Sequence, residues 1–155
     1  MTVERFTLDT NILVYAVDQR DRVRQRLATA VVRAAATKDC ILTAQSLCEF
    51  YSAATRRVHL IPTDAADVCR DYAKLFTTVS YDRAQIARAL TEAVAGRMAF
   101  WDALLVATAE ANGCAIVLSE DMADGARFGE TTVRHPFAGA DLSPTARRLT
   151  GLRKA

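Results

Sequence analysis

The order of its apolar segments constrains this chain more than any compositional total. Short runs rich in large and β-branched residues alternate with longer segments whose apolar residues recur every three or four positions. The strand candidates are ERFTL (4–8), CILTA (40–44), TTVSY (77–81), CAIVL (114–118) and TTVRH (131–135). The spacing predicts a helix over about 22–36, striped by Val23, Leu27, Ala30, Val31 and Ala34. Another covers 45–57 with Leu47, Cys48, Tyr51 and Ala54. A third starts at Pro62-Thr63 and carries Ala65, Val68, Cys69, Tyr72 and Phe76. Asp82 caps a fourth, whose stripe is Ile86, Leu90, Ala93 and Val94, and Gly96 ends it. From Asp102 to Asn112 the chain is apolar nearly all round, which requires a buried helix. CAIVL then runs apolar without alternation, as a parallel strand covered on both faces does. Such alternation folds as α/β, with a mostly parallel sheet between helical layers.

With 155 residues there is room for one domain, read here as 1–138. Residues 139–155, with Gly139, Pro144, Gly151 and late basic residues, read as a loosely attached C-terminal tail. The longest apolar run, ALLVATA, is far short of the roughly 20 residues of a membrane span. The first residues include Glu4, Arg5 and Asp9 and form no signal-peptide stretch. Cys40, Cys48, Cys69 and Cys114 lack metal-ligand or CxxC spacing and lie in apolar contexts, so they read as reduced core thiols. A cytoplasmic protein is expected. The formal charge of +2 does not itself mark a nucleic-acid binder.

Acids interrupt the apolar pattern. Asp9 follows the first strand, Glu49 lies in SLCEFYSAA, Asp102 opens the buried helix, and Asp121 follows CAIVL. Singly, each has an ordinary explanation: a helix cap or turn for Asp9, a cap or first-turn acid for Asp102, a solvated helix face for Glu49, an acidic loop for Asp121. Jointly they are harder to dismiss. Asp9, Glu49 and Asp102 have large apolar neighbours, including Leu8, Ile12, Phe50, Tyr51, Phe100 and Trp101, and few basic residues close in sequence. A buried carboxylate needs a partner. A divalent cation with oxygen ligands would serve several at once. Ligands of parallel sheets bind beyond the carboxyl ends of the strands, where Asp9 and Asp121 fall.

LDTN (8–11), Glu49 in LCEF, FWDALLVATAEANGC (100–114) and LSED (118–121), in this order and spacing, resemble the PIN-domain ribonucleases. The DTNILVYA opening and the length are most similar to the VapC toxins of toxin–antitoxin pairs. The resemblance covers residues 6 to about 137. It implies a three-layer α/β/α fold and an acidic pocket binding Mg2+ or Mn2+. Asp9, Glu49, Asp102 and Asp121 would be its metal-binding and catalytic acids, supported by Thr10, Asn11 and Ser119. Asp124 competes with Asp121 as fourth acid, and Asp121 is preferred because it is nearer the strand end. The resemblance further implies metal-assisted attack of water on an RNA phosphodiester, leaving 5′-phosphate and 3′-hydroxyl ends. It also implies a homodimer and a cognate antitoxin that covers the groove.

Basic residues must offset an acidic pocket if RNA is to approach. The candidates are Arg20, Arg22, Arg24 and Arg26, then Arg56, Arg57 and His59, then Arg147, Arg148, Arg153 and Lys154. The ordinary reading of the first cluster is a solvated helix face. Trp101 reads first as packing, with base stacking as the alternative. Three rivals bear on function. A haloacid-dehalogenase-like phosphatase would need an acid where Asn11 stands. A catalytically silent PIN-like module that binds RNA or protein would have no use for a complete acid set. A housekeeping RNA-processing nuclease shares the chemistry and differs only in its genetic partner.

Overall fold

The structure is a computed structural model that describes residues 3–154. The chain runs β1 (Phe6–Leu8), α1 (Thr10–Tyr15), α2 (Arg22–Ala35), β2 (Cys40–Thr43), α3 (Ala44–Arg56), α4 (Pro62–Leu75), β3 (Thr77–Val79) and α5 (Arg83–Val94). It continues through α6 (Phe100–Ala111), β4 (Ile116–Leu118), β5 (Arg127–Phe128), β6 (Thr131–Arg134), β7 (Phe137–Ala138), β8 (Asp141–Leu142) and α7 (Pro144–Thr150). The main sheet has the order β3-β2-β1-β4-β6-β5 and is parallel except for the β5 edge.

Strand residues alternate between two cores, as the period of a strand demands. Phe6, Leu8, Leu42, Ile116 and Leu118 face a cluster supplied by α1, α2, α3, α4 and α7. Ile41, Val117 and Val133 face the other way, onto Leu105, Val106, Ala107 and Ala109 of α6. α5 lies against α6 through Ala89, packed with Ala103 and Leu104. The expected three-layer α/β/α architecture is therefore what forms. Ala103 through Ala109 of α6 are all buried, as an all-round apolar helix must be.

Several local expectations are corrected. The buried face of α2 is Leu27, Ala28, Val31, Val32 and Ala35, and Val23 is exposed. On α5 the predicted stripe holds only in part: Ile86 packs beside Ala89 against α6 and Ala93 is half-buried, but Leu90 is 51% and Val94 88% exposed. Ala89 and Ile86 face α6, and Leu90 and Val94 fall on the exposed side of the helix. Cys48 is exposed and Cys69 half-buried, so only Cys40 and Cys114 are core thiols. The expectation that 139–155 is loosely attached does not hold for residues 141–150. Asp141–Leu142 pairs with Phe137–Ala138, and α7 buries Ala146 and Leu149 in the same core as β1. Among the described residues no helix is long and apolar enough to cross a membrane.

Candidate functional site

Strand order reverses between β1 and β4: β2 and β3 follow on one side of β1, β4 and β6 on the other. Loops leaving such neighbours diverge and open a crevice at the carboxyl edge of the sheet. The register pairs Leu8 with Leu118, so Asp9 and Ser119 are the next residues on each strand. The Asp9 N–H donates to the Leu118 carbonyl at 2.9 Å, extending the ladder by one bond. Asp9 then turns the chain into α1 as its N-cap, its Oδ1 accepting from the Thr10 N–H at 2.7 Å. Its Oδ2 accepts from the Ser119 hydroxyl at 2.7 Å. The capping explanation of Asp9 is thus true, and it leaves the residue buried at the floor of a cleft. The Ser119 hydroxyl also accepts from the Asp121 N–H at 3.3 Å, bending the 119–121 loop over the strand ends.

The other two acids come from helices. Glu49 projects from α3, where the Thr10 hydroxyl donates to its Oε2 at 2.9 Å and Gln45 Nε2 to its Oε1 at 3.0 Å. The same Gln45 amide donates to the Trp101 carbonyl at 2.9 Å, tying α3 to the start of α6. Asp102 sits in the first turn of α6, where the helix dipole favours an acid, while Ala99 is the N-cap without a side-chain bond. Asp9, Glu49, Asp102 and Asp121 all line one open cleft of about 670 Å3. Asp124 does not line it; its carboxylate accepts from Arg134 at 3.0 Å and from the His135 N–H at 2.9 Å. Those two bonds also hold its pKa below the ordinary carboxylate range, the backbone bond first.

Charge accumulates in this cleft without full compensation. The Asp9 pKa is raised to about 6: burial raises it most, the Ser119 and Thr10 bonds pull it part of the way back, and Asp121 and Asp102 add smaller upward pushes. Asp102 is raised by burial first, then by Asp121 and Glu49. These influences link Asp9 with Asp121 and Asp102, and Asp102 with Asp121 and Glu49. Cations stand around the rim. Arg56 and Arg57, at the end of α3, line one part of the wall. Arg20 lines another part, but both its Nε and its Nη2 are spent on Asp18, at 2.9 and 2.8 Å.

The remaining basic candidates lie elsewhere. Arg24 approaches Glu120 at 3.7 Å and stacks over the Phe137 ring at 4.5 Å. Arg147 pairs with Asp141 and Arg148 with Glu4. His59 has a positive φ of 60° and does not line the cleft. Trp101 is 58% exposed and meets the Phe100 ring edge-on, so it is not a core side chain. Two contributors escape sequence reasoning. Gln45 is found only by noting that it lies one helical turn before Glu49. Asp18, which takes up the expected cation Arg20, sits two residues before it in a loop, where no periodicity marks it.

An oxygen-ligated divalent cation fits these residues. The donor set is carboxylate alone, with no thiolate or imidazole, which suits a hard ion. Asn11 adds a second sign: both polar atoms of its amide are buried without a hydrogen-bond partner, and it lines the same cleft. The carboxylates nevertheless stand apart. Among the described residues no three Asp, Glu, His or Cys groups already surround one point as a ligand cage.

A parallel sheet clad by helices on both faces, with acids gathered at its topological switch point, defines the class: an α/β protein with an acidic crevice. The PIN domain family model matches residues 6–123, and the chain belongs to that family. Comparison with curated proteins returns no significant match. Among solved structures, the chain is similar to a DNA-bound VapBC from Salmonella typhimurium, with 16% identity, a TM-score of 0.59, and 85% of this chain and 98% of that one covered. It is also similar to VapBC2 of Rickettsia felis bound to a promoter DNA fragment, with 12% identity, a TM-score of 0.60, and 84% and 97% covered. A third is Mycobacterium tuberculosis VapC20, a sarcin–ricin loop cleaving toxin, with 16% identity, a TM-score of 0.56, and 75% and 89% covered. At these identities the likeness is one of fold.

Proposed function

We propose that this PIN-domain protein is a divalent-metal-dependent endoribonuclease and the toxin of a toxin–antitoxin pair. The observation that carries the reading is the gathering of Asp9, Glu49, Asp102 and Asp121, from four separate segments, along one cleft at the β1/β4 switch point. Family membership and the fold shared with toxin–antitoxin structures support it. The four acids would hold Mg2+ or Mn2+, which supplies Lewis-acid stabilisation of the charge that develops on a phosphodiester under attack by water. The protein's own part is positional. Ser119 and Thr10 orient Asp9, Thr10 and Gln45 orient Glu49, and the rigid first turn of α6 presents Asp102. Arg56 and Arg57 receive backbone phosphates at the rim. No side chain forms a covalent bond to the substrate.

Two partnerships belong to the same reading. A cognate antitoxin would lay a segment over the cleft, and an arginine on it would meet the carboxylates. Exposed Leu90, Val94 and Trp101 supply apolar surface for a second copy of the chain. The site of action is the cytoplasm. The deciding experiment is cleavage of end-labelled RNA with Mg2+. Wild-type protein cuts it, and Asp102→Asn cuts at least ~100-fold more slowly while melting, in the absence of Mg2+, at or above the wild-type temperature. Equal cutting by both proteins would sink the assignment, and binding without cutting by wild type would mark a silent module.

A further inference from the structure

Helix α2 holds four arginines and no acid in fourteen residues. Arg22, Arg26 and Arg33 are exposed, and with Gln25, Thr29 and Ala30 they line a shallow groove of about 520 Å3 on the outer face of the helix. None of the three arginines takes part in an ion pair among the described residues. Arg22 makes only a long 3.5 Å contact to Gln25. This arrangement works against the helix. Arg22 and Arg26 are like charges one turn apart, close to the positive end of the helix dipole. Helix stability therefore does not explain Arg22 and Arg26, whereas Arg33 sits in the last turn, where a cation suits the dipole.

Arg24 points the other way and fixes where this groove lies. It donates to the Gly139 carbonyl at 2.8 Å, approaches Glu120 at 3.7 Å and covers the Phe137 ring. Glu120 lies between Ser119 and Asp121 of the acidic cleft, so Arg24 holds the first turn of α2 against the loop that forms the site. Arg20 lines the cleft and Arg22 lines the groove. Two residues of chain span at most ~7 Å, so the Cα atoms of Arg20 and Arg22 lie no further apart than that. From Arg22 to Arg33 the helix rises ~16 Å, enough for roughly five nucleotides stacked at ~3.4 Å each.

We infer that the Arg22–Arg26–Arg33 groove is a track for the RNA backbone that continues the cleft, so that long RNA is preferred over short fragments. This rests on the ribonuclease reading for what happens at the cleft end. Guanidinium forks match phosphate oxygens, and Gln25 and Thr29 add neutral hydrogen-bonding groups between them. The lining holds no aromatic or large aliphatic side chain of the kind that anchors a protein interface. RNA is favoured over an acidic protein on that ground.

The test compares wild type with the R22Q/R26Q/R33Q variant in two arms. In EDTA, anisotropy of a labelled 20-nucleotide single-stranded RNA should show ~10- to 100-fold weaker binding by the variant. Its log–log salt slope should fall by ~2, three phosphates at ~0.7 each. The R22K/R26K/R33K variant should keep the wild-type slope, which separates lost charge from lost fold. Unchanged affinity and slope would overturn the track. If poly-glutamate binding fell instead, the groove would belong to an acidic protein, which also overturns it. With Mg2+, the glutamine variant should cut the 20-mer more slowly and a hexamer at the wild-type rate; equal slowing of both lengths would count against the track. Failure of wild type to cut either RNA would sink the ribonuclease reading, while the EDTA arm would still decide the groove.

Discussion

The Ser119 hydroxyl donates to Asp9 Oδ2 at 2.7 Å, joining the ends of β1 and β4 across 110 residues of chain. This bond favours the charged form of a carboxylate that burial pushes towards the neutral form. Charge-assisted bonds of this type contribute about 1.5–3 kcal/mol, or roughly one to two pKa units. Ser119→Ala should therefore raise the Asp9 pKa clearly above 6, measured by the carboxyl carbon chemical shift against pH. A pKa left at about 6 would mean that the hydroxyl does not tune the acid.

Asp9 should make the protein less stable at neutral pH than at mildly acidic pH. Its pKa is near 3.8 when unfolded and about 6 when folded. Between those values the folded state binds more protons, so its contribution to stability is lost as pH rises and is fully unfavourable above pH 6. The cost is at most about 3 kcal/mol. Asp9→Asn removes it and should raise stability at pH 7.5 by about 1–3 kcal/mol while abolishing cleavage. Urea unfolding at pH 4 and 7.5 checks this: the advantage of the variant must shrink at the lower pH. An advantage independent of pH would assign it to packing instead.

A cation should reverse the same cost. Ligand binding at 100 times its dissociation constant stabilises the folded state by about 2.7 kcal/mol, and a chain of this size gains roughly 2–4 °C per kcal/mol. Saturating Mg2+ should thus raise the melting temperature by ~5–10 °C at pH 7.5. The gain should be much smaller at pH 5, where Asp9 is largely protonated. Asp102→Asn should lose most of it. A shift of the same size in Asp102→Asn would place the ion elsewhere.

How much of this was legible in the sequence depends on where each signal resides. Asp9 and Asp102 stand out because each interrupts an apolar run, and α/β order follows from the alternation of periods. The register that sets Leu8 beside Leu118, and so brings Ser119 to Asp9, is a pairing between distant strands that no local pattern encodes. Leu90 and Val94 mislead for a related reason: the spacing of an apolar stripe is visible, but not which residues of the helix face α6. Gln45 hides because an amide on a helix looks solvated until its two acceptors, Glu49 and the Trp101 carbonyl, are brought to it by the fold.

The C-terminal segment gives the last prediction. Gly139, Pro144 and Gly151 read as breakers, yet two of them punctuate a helix. Ser143 caps α7 through the Ala146 N–H at 3.1 Å, Pro144 takes the first turn where no N–H is needed, and Gly151 ends the helix at φ 75°. Leu149 is then only 8% exposed, in the cluster that also holds Phe6, Val31 and Leu42. Leu→Ala at a buried site costs about 2–5 kcal/mol. Leu149→Ala should therefore lower the midpoint of a single cooperative urea transition, with the denaturant slope unchanged. α7 frays independently if instead the midpoint stays and only proteolysis near 149 accelerates. The Arg147–Asp141 and Arg148–Glu4 pairs on the same helix are partly exposed. Each contributes under about 1 kcal/mol, so Arg148→Ala should shift the midpoint far less than Leu149→Ala does.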